Sequence, residues 1–309
     1  MDFTIEFNSG GNHGHQLKDA LGGLTIGLLY GLNYVHTPYD YLKYFAIGYG
    51  SPTVSVNDRR FKYKYIKKVS GPLWSGIEDY EEFRAYFDEK ILPLDDDTLI
   101  VFEKAMRQFP FQTIPWYKNG LIKNNIFSLI LNETSENFKR RNGQINKFKN
   151  DPLTVAIHIN RGVDYDKQKF PHHFSSSYAV RYMFPMEYYE NIMDQIERKF
   201  RKRNVWFHIY TEQLNSEGIT KKFGNRKQTT IHVGSNRSQK NYELVHSIFK
   251  SFVDADILVC SNSSFSAMCC YFRKGKKTIY HPHFHLRHLP VPDFIATCEN
   301  GDFNSALLD

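Results

Sequence analysis

An apolar stretch that ends abruptly in a cluster of polar residues is the feature that most constrains the fold. Residues 154–159 have the length and composition of a buried strand, and the polar sequence Asn160-Arg-Gly-Val-Asp-Tyr-Asp166 follows at once. Polar side chains directly after such a strand are expected at the carboxyl edge of a parallel sheet, where α/β proteins bind ligands. The guanidinium of Arg161 is a charged fork suited to phosphate. The segment therefore predicts an α/β fold with a phosphate-bearing ligand.

Three other side chains of this segment are candidates for chemistry. His158 is expected to orient a ligand hydroxyl or phosphate, or else to be a core histidine paired with the backbone. Asp164 and Asp166 are candidates for a general base, and the alternative is that they are solvated loop residues.

Predicted strands and helices alternate along the chain, which indicates parallel sheets. A strand, a glycine-rich turn and a charge-poor helix over residues 16–32 open the sequence, and helical spacing over residues 98–109 predicts another helix. A chain of 309 residues is expected to form two domains of about 100–200 residues each. The stretch 142–152 is polar and contains glycine and proline, so the domain boundary is expected there, between domains 1–150 and 151–309. Both domains are expected to be Rossmann-like and to face a cleft.

Two loops resemble anion-binding turns. In the first, Gly10-Gly-Asn-His-Gly-His15, Gly11 and Gly14 allow close backbone approach, and Asn12, His13 and His15 add polar groups before a helix. A plain connecting turn is the alternative. The second, Ser261-Asn-Ser-Ser-Phe-Ser266, follows a strand and opens a helix, so its hydroxyl and N–H groups are expected to bind an anion. Ordinary capping by Ser263 or Ser264 is compatible with that role.

The charge and cysteine content narrow the class of protein. A formal net charge of +7 favours anionic partners such as nucleotide sugars, nucleic acids or acidic membranes, although the basic clusters at 59–68, 139–149 and 197–203 also suit a solvated surface. No nucleic-acid module is recognisable. Four cysteines without zinc or disulfide spacing, no signal-peptide pattern and no long apolar span predict a cytoplasmic protein without an integral membrane span. Alternate histidines from His281 to His288 are interpreted as a surface or cleft-lining tail rather than a metal site.

Taken in order, these loops resemble the fucosyltransferase superfamily of the GT-B type, which includes α1,2-, α1,6- and protein O-fucosyltransferases. The matching segments cover most of the chain. They are Gly11-Asn-His-Gly-His-Gln16, His158-Ile-Asn-Arg-Gly-Val-Asp164, Tyr210-Thr-Glu212 and Ala255-Asp-Ile-Leu-Val-Cys-Ser-Asn-Ser-Ser-Phe-Ser266. The chain departs from the family pattern at Asn160, where the family has an arginine that contacts the donor diphosphate, and at the additional Val163.

The resemblance implies an inverting glycosyltransferase that uses neither metal nor cofactor. It would move a sugar, fucose being favoured, from a nucleotide-diphosphate donor such as GDP-fucose to a glycan or other hydroxyl acceptor. The catalytic residues implied are Arg161, Asp164 and Asp166. Donor contacts are implied for Gly11, Asn12, His13, Gly14, His15, His158, Asn160, Arg161, Thr211, Glu212, Asn262, Ser263, Ser264, Phe265 and Ser266.

Three alternatives stay open. A sister glycosyltransferase would use another donor such as a UDP-sugar. A non-catalytic nucleotide- or sugar-binding protein would share the fold, and Asn160 favours it. A nucleic-acid binder would depend on the basic excess and would show a steep salt dependence.

Overall fold

The structure is a computed structural model that describes most of the chain in two compact units, Met1–Gln144 and Ile145–Asp309. The backbone of His15 and Glu212 is described but not their side chains. The described residues are 1–6, 13–38, 45–71, 77–92, 95–103, 110–143, 151–159, 184–212, 216–234, 242–261, 263–282 and 293–309.

The N-terminal unit is built on a four-stranded parallel sheet with the order β2-β1-β4-β3. Its described elements, in chain order, are β1 (Asp2–Glu6), α1 (His13–Leu29), β2 (Asn33–Tyr34), α2 (Arg59–Lys62), β3 (Tyr65–Ser70), α3 (Tyr80–Ile91), β4 (Thr98–Glu103), α4 (Thr113–Lys118) and α5 (Ile126–Asn142).

Helix α1 packs unusually closely on the sheet, and its glycines explain how. A Cβ atom at Gly23 would lie 2.8 Å from Ile5 Cγ1, and one at Gly27 would lie 2.4 Å from the Phe3 ring. The helix therefore approaches β1 where it has no side chains. The charge-poor segment is a buried helix, as predicted.

The prediction of a helix over residues 98–109 is wrong for its first half. Thr98–Glu103 forms strand β4, which lies between β1 and β3 and is buried from Thr98 to Phe102. An unbroken apolar run satisfies helical spacing as well as it satisfies a strand covered on both faces, so the spacing alone did not distinguish them. Residues 104–109 lie outside the described residues.

The C-terminal unit contains a six-stranded parallel sheet with the order β10-β9-β8-β5-β6-β7. Its described elements are β5 (Leu153–Ile159), α6 (Met186–Lys199), β6 (Val205–Glu212), α7 (Ser216–Phe223), β7 (Thr229–Gly234), α8 (Tyr242–Asp254), β8 (Ile257–Val259), α9 (Ser264–Cys269), β9 (Lys277–Tyr280) and β10 (Phe294–Ala296).

Strand β5 lies at the centre of this sheet, between β6 and β8. Val155, Ile157 and Ile159 point into a core that Tyr188, Ile192 and Ile196 of α6 complete. The residues between them, Ala156 and His158, belong to the opposite face of the strand. The end of β5 is thus fixed by packing immediately before the predicted phosphate-binding residues begin.

These features confirm the predicted α/β class with parallel, Rossmann-like sheets. The acceptor and donor roles assigned to domains 1–150 and 151–309, and the cleft, stay predictions. Of the described residues, no helix is long and apolar enough to cross a bilayer.

Candidate functional site

Only part of the predicted site falls on described residues. His13, Gly14, His158, Thr211, Ser263, Ser264, Phe265 and Ser266 are described with their side chains. His15 and Glu212 are described through their backbone alone. The remaining predicted residues lie outside the described part of the chain: Gly11, Asn12, Asn160, Arg161, Asp164, Asp166 and Asn262.

A hydrogen bond joins the ends of the two strands that carry the strongest motifs. His158, the penultimate residue of β5, has its Nδ1 atom 2.9 Å from the Oγ atom of Ser261, which follows β8. Since β5 and β8 are neighbouring parallel strands, their carboxyl ends meet at one edge of the sheet. The polar segments that begin after these strands therefore start side by side.

The imidazole of His158 sits in an apolar environment. Its ring centroid lies 5.3 Å from that of Phe252 on α8 and 6.3 Å from that of Phe265 on α9. Desolvation lowers the pKa of His158 to about 4. The ring is therefore neutral at physiological pH, and it can orient Ser261 or a ligand group but cannot supply positive charge to a phosphate.

The serine-rich turn after β8 is held by its own hydroxyl groups. Ser263 caps α9, because its Oγ atom accepts a hydrogen bond of 3.3 Å from Phe265 N. Ser264 and Ser266 are buried, and Ser266 Oγ donates at 3.4 Å to the Ser263 carbonyl oxygen. Helix α9 has only six residues, so a long helix dipole contributes little here. The Ser263 hydroxyl retains a proton that it can donate to a ligand.

Thr211 marks the same edge on the other side of β5. It is the cross-strand partner of Ile159, and its side chain is buried. Its Oγ1 atom has no hydrogen-bond partner among the residues that the structure describes. Buried hydroxyl groups are almost always paired, so a ligand oxygen is one partner that would meet this requirement.

The described strand ends of the C-terminal sheet carry no cation. Residues 157–159, 210–212, 232–234, 259–261, 263–266 and 280–282 include neither lysine nor arginine. A diphosphate bound at this edge therefore requires positive charge from the segments that follow the strands. Arg161 comes two residues after the end of β5 and meets that requirement by position.

The carboxyl edge of the N-terminal sheet has its own polar cluster, which the sequence analysis missed. Arg59 is buried and donates to Glu6 Oε2 at 2.9 Å and to Thr37 Oγ1 at 2.8 Å. Lys68 Nζ lies 2.5 Å from Glu103 Oε1. Glu6 and Glu103 are the last residues of neighbouring strands and are cross-strand partners. The signal available in the sequence was a glutamate at the end of each apolar run. The cluster gives this edge paired charges able to bind hydroxyl groups.

Helix α1 begins at His13, inside the glycine-rich loop and three residues earlier than predicted. His13 and Gly14 are buried in its first turn, and desolvation lowers the pKa of His13. His13 is therefore neutral near pH 7 and, like His158, offers hydrogen bonds rather than charge.

Among the described residues, no group of three or more His, Cys, Asp or Glu side chains is arranged to hold a metal ion. His281 is described, whereas His283, His285 and His288 lie outside the described residues. Metal independence stays a prediction.

Comparison with known proteins identifies similarity only among solved structures. No protein-family model matches the chain. No curated protein matches it. Fucosyltransferase NodZ from Bradyrhizobium is 12% identical over 96% of this chain and 95% of that chain, with a TM-score of 0.42. A glycosyl transferase of family 9 from Veillonella parvula is 10% identical over 93% and 84%, with a TM-score of 0.43.

The heptosyltransferase WaaC of E. coli, solved with ADP, is 8% identical over 97% of this chain and 92% of that chain, with a TM-score of 0.40. Fucosyltransferases are thus among the solved structures to which the chain is similar, as its motifs predicted. At 8–12% identity and TM-scores below 0.5, this likeness assigns neither a substrate nor a reaction to the chain.

Proposed function

We propose that this protein is a glycosyltransferase that moves a sugar from a nucleotide-diphosphate donor to a hydroxyl acceptor. The observation that carries the proposal is the 2.9 Å contact between His158 Nδ1 and Ser261 Oγ. It brings the origins of two polar segments, one with Arg161 and one with the serines, to the same edge of a parallel sheet. A cation and several hydroxyl donors in one place suit a diphosphate.

The proposed sugar, donor nucleotide, stereochemistry and metal independence depend on the resemblance of the motifs to fucosyltransferases. It favours fucose, with GDP-fucose as donor, inversion at the sugar and no metal ion. A UDP-sugar is the alternative donor. Absence of a metal would leave the departing diphosphate to be stabilised by Arg161 and loop N–H groups.

We assign the remaining roles by chemistry. Asp164, or failing that Asp166, removes the proton of the acceptor hydroxyl. Asn160 donates a hydrogen bond to a phosphate oxygen without adding charge. His158 holds Ser261 in register, and Thr211 and Glu212 contact the base or ribose of the donor. The Gly11–Gly14 turn with Asn12, His13 and His15, and the turn from Asn262 to Ser266, supply further donor contacts.

Replacing Arg161 tests the proposal directly. We expect Arg161→Ala to lower turnover about 100-fold, because a charge contact that stabilises the departing diphosphate is lost. The donor is first identified with a thermal-shift panel of GDP, UDP, dTDP and their sugars, since a bound nucleotide stabilises the folded state. Transfer and donor hydrolysis are then measured for wild type and variant with that donor.

Arg203→Ala is the matched control, because Arg203 is an exposed arginine of the same unit. We expect it to retain wild-type turnover, and both variants to keep the wild-type melting temperature without ligand. A parallel loss of melting temperature and activity in Arg161→Ala would make Arg161 a structural residue. Failure of every nucleotide in the panel to shift the melting temperature would contradict the proposed donor class.

The two aspartates are separated by a second pair of variants. If Asp164 is the base, Asp164→Asn lowers kcat strongly while donor affinity changes little, because the carboxylate acts on the acceptor proton only during reaction. Asp166→Asn then serves as the control with nearly normal kcat. The reverse pattern would assign the base to Asp166.

A non-catalytic nucleotide-binding protein is the second candidate, and Asn160 is the observation that favours it. Such a protein would show thermal stabilisation by nucleotide without transfer or hydrolysis.

We place the protein in the reducing cytoplasm, which the four free cysteines support.

A further inference from the structure

A short stretch of the N-terminal unit exposes apolar and basic side chains together, and the proposed activity does not use it. Val56 is 51% exposed, Phe61 78%, Tyr65 48% and Ile66 41%. They lie in and around α2 and β3, and all but Val56 fall within the basic cluster at 59–68. We call residues 56–67 the basic–aromatic segment. Single exposed apolar residues are ordinary, but several in one basic segment indicate an interaction surface.

The cations of this segment fall into two groups. Arg59, inside the segment, and Lys68, directly after it, are engaged with Glu6 and Glu103 at the sheet edge. Arg60, Lys62, Lys64 and Lys67 form no ion pair within the part of the chain that the structure describes. Their positive charge is therefore directed to solvent and is available to an anionic partner.

Cations and rings are interleaved in this segment. The Arg60 guanidinium lies 5.0 Å from the centre of the Phe61 ring, and Lys64 Nζ lies 5.0 Å from that of Tyr65. A partner that contacts one of these rings therefore contacts a cation as well. Long basic side chains can lay their methylene groups along an apolar phase while their charged ends stay at its polar boundary.

We propose that the basic–aromatic segment docks the protein on an anionic lipid bilayer. Phe61, Ile66 and Val56 would enter the interface between headgroups and acyl chains. Arg60, Lys62 and Lys64 would attract anionic headgroups, whereas Lys67 points to the other face of β3 from Ile66. Aliphatic side chains such as Ile66 and Val56 do not stack on bases, which favours a bilayer over single-stranded nucleic acid.

The surroundings of β3 decide which side chains of the segment carry the attraction. Strand β3 is an edge strand of its sheet, and exposed lysines protect such strands from pairing with other chains. That protection accounts for Lys67 but not for Phe61, which lies on α2. Asp95, Asp96 and Asp97 are exposed beside the start of β3, where Lys64 N donates to Asp97 O. They offset charge near Lys64, so Arg60 and Lys62 of α2 carry most of the attraction.

Co-sedimentation of the full chain with lipid vesicles tests this inference. We expect binding to vesicles of phosphatidylcholine with phosphatidylglycerol, weak binding to pure phosphatidylcholine, and release at high salt. The double variant Arg60→Gln/Lys62→Gln is expected to bind about 30-fold more weakly, from about 1 kcal/mol per cation near such a surface. Phe61→Ser is expected to bind at least about 10-fold more weakly, because its burial in the interface is lost.

Matched controls come from the same unit. Arg140→Gln/Arg141→Gln removes two exposed cations from α5, and Leu129→Ser removes an apolar side chain that is 46% exposed. Both are expected to bind as wild type does. Equal losses in these controls, equal binding to neutral vesicles, or unchanged binding by the segment variants would overturn the inference.

One outcome would assign the segment to another partner. Binding of an oligonucleotide that depends on Arg60 and Lys62, together with no vesicle binding, would overturn the inference and indicate nucleic acid. The assay contains neither nucleotide sugar nor acceptor, so its result is independent of the proposed transferase activity.

Discussion

Replacing the buried arginine of the C-terminal unit, Arg273→Met, is expected to lower the free energy of unfolding by about 3–5 kcal/mol. Arg273 is 1% exposed. Its guanidinium donates to the carbonyl oxygens of Val253 at 3.1 Å, Ala255 at 3.0 Å and Lys277 at 2.9 Å, and also to that of Phe252. A methionine of similar length would fill the space but remove this donor from these four carbonyl oxygens, of which only that of Val253 keeps a second side-chain donor among the described residues, Lys276 Nζ at 2.9 Å.

The position of these carbonyl groups explains why a buried cation is tolerated without an ion pair among the described residues. Phe252 and Val253 belong to the last turn of α8, where unpaired carbonyl oxygens and the helix dipole give a partial negative charge. Arg273 thus ties the end of α8 to the beginning of β9. Desolvation lowers the pKa of its guanidinium, but a group with so high an ordinary pKa remains charged.

Urea unfolding of wild type, Arg273→Met, Arg273→Lys and Lys202→Met checks this expectation. Arg273→Lys keeps the charge with fewer donors and should fall between wild type and Arg273→Met. Lys202→Met removes an exposed cation from the same unit and should change stability by less than about 0.5 kcal/mol. A cost below about 1 kcal/mol for Arg273→Met would show that water or nearby groups satisfy the carbonyl oxygens.

The second large effect is a loss of stability in mild acid. In the folded state, desolvation lowers the pKa of His158 to about 4, whereas the pKa of a histidine in the unfolded chain is about 6.5. Between these values the unfolded chain binds a proton that the folded chain does not, so stability rises with pH. The contribution is fully present above about pH 6.5 and is lost as the pH falls to about 4, amounting to up to about 3 kcal/mol.

Other histidines also make the folded state less stable in acid. Desolvation also lowers the pKa of His13, His36 and His232, so their protonation in acid further favours unfolding. The measurement is the free energy of unfolding by urea at several pH values between 7.5 and 4.5. His158→Gln keeps a polar group near Ser261 and should flatten the pH dependence, while His36→Gln removes a smaller part of it. An unchanged slope in His158→Gln would mean that residue 158 is already hydrated in the folded state.

The sequence predicted the C-terminal unit better than the N-terminal one, for a physical reason. Its strands are short apolar runs separated by amphipathic helices such as α6, so the two periods differ clearly. In the N-terminal unit, β4 is buried on both faces, so its unbroken apolar run also satisfies helical spacing. Strand β3 is an exposed edge strand, and its sequence shows a basic cluster instead of an alternating pattern. Burial on both faces or on neither removes the alternation that identifies a strand.

The candidate site was predicted in part. The strand ends at His158 and Ser261 were located correctly, because polar residues that stop an apolar run are visible in a sequence. Their mutual hydrogen bond was not foreseen, since it depends on β5 and β8 being neighbours, a matter of strand order. The pairing of Arg59 with Glu6 was missed for the same reason: the partners come from distant parts of the chain.

The central position of β5 also determines the order in which the C-terminal unit can be assembled. Its partner on one side, β6, is synthesised next among the strands of this sheet, but on the other side Val155 pairs with Ile257 of β8, which comes much later. Pairings over such long separations slow folding, because a large loop must close first. During translation, β5 therefore has one unpaired edge until β8 has left the ribosome, and this is the interval in which a chaperone would be most useful.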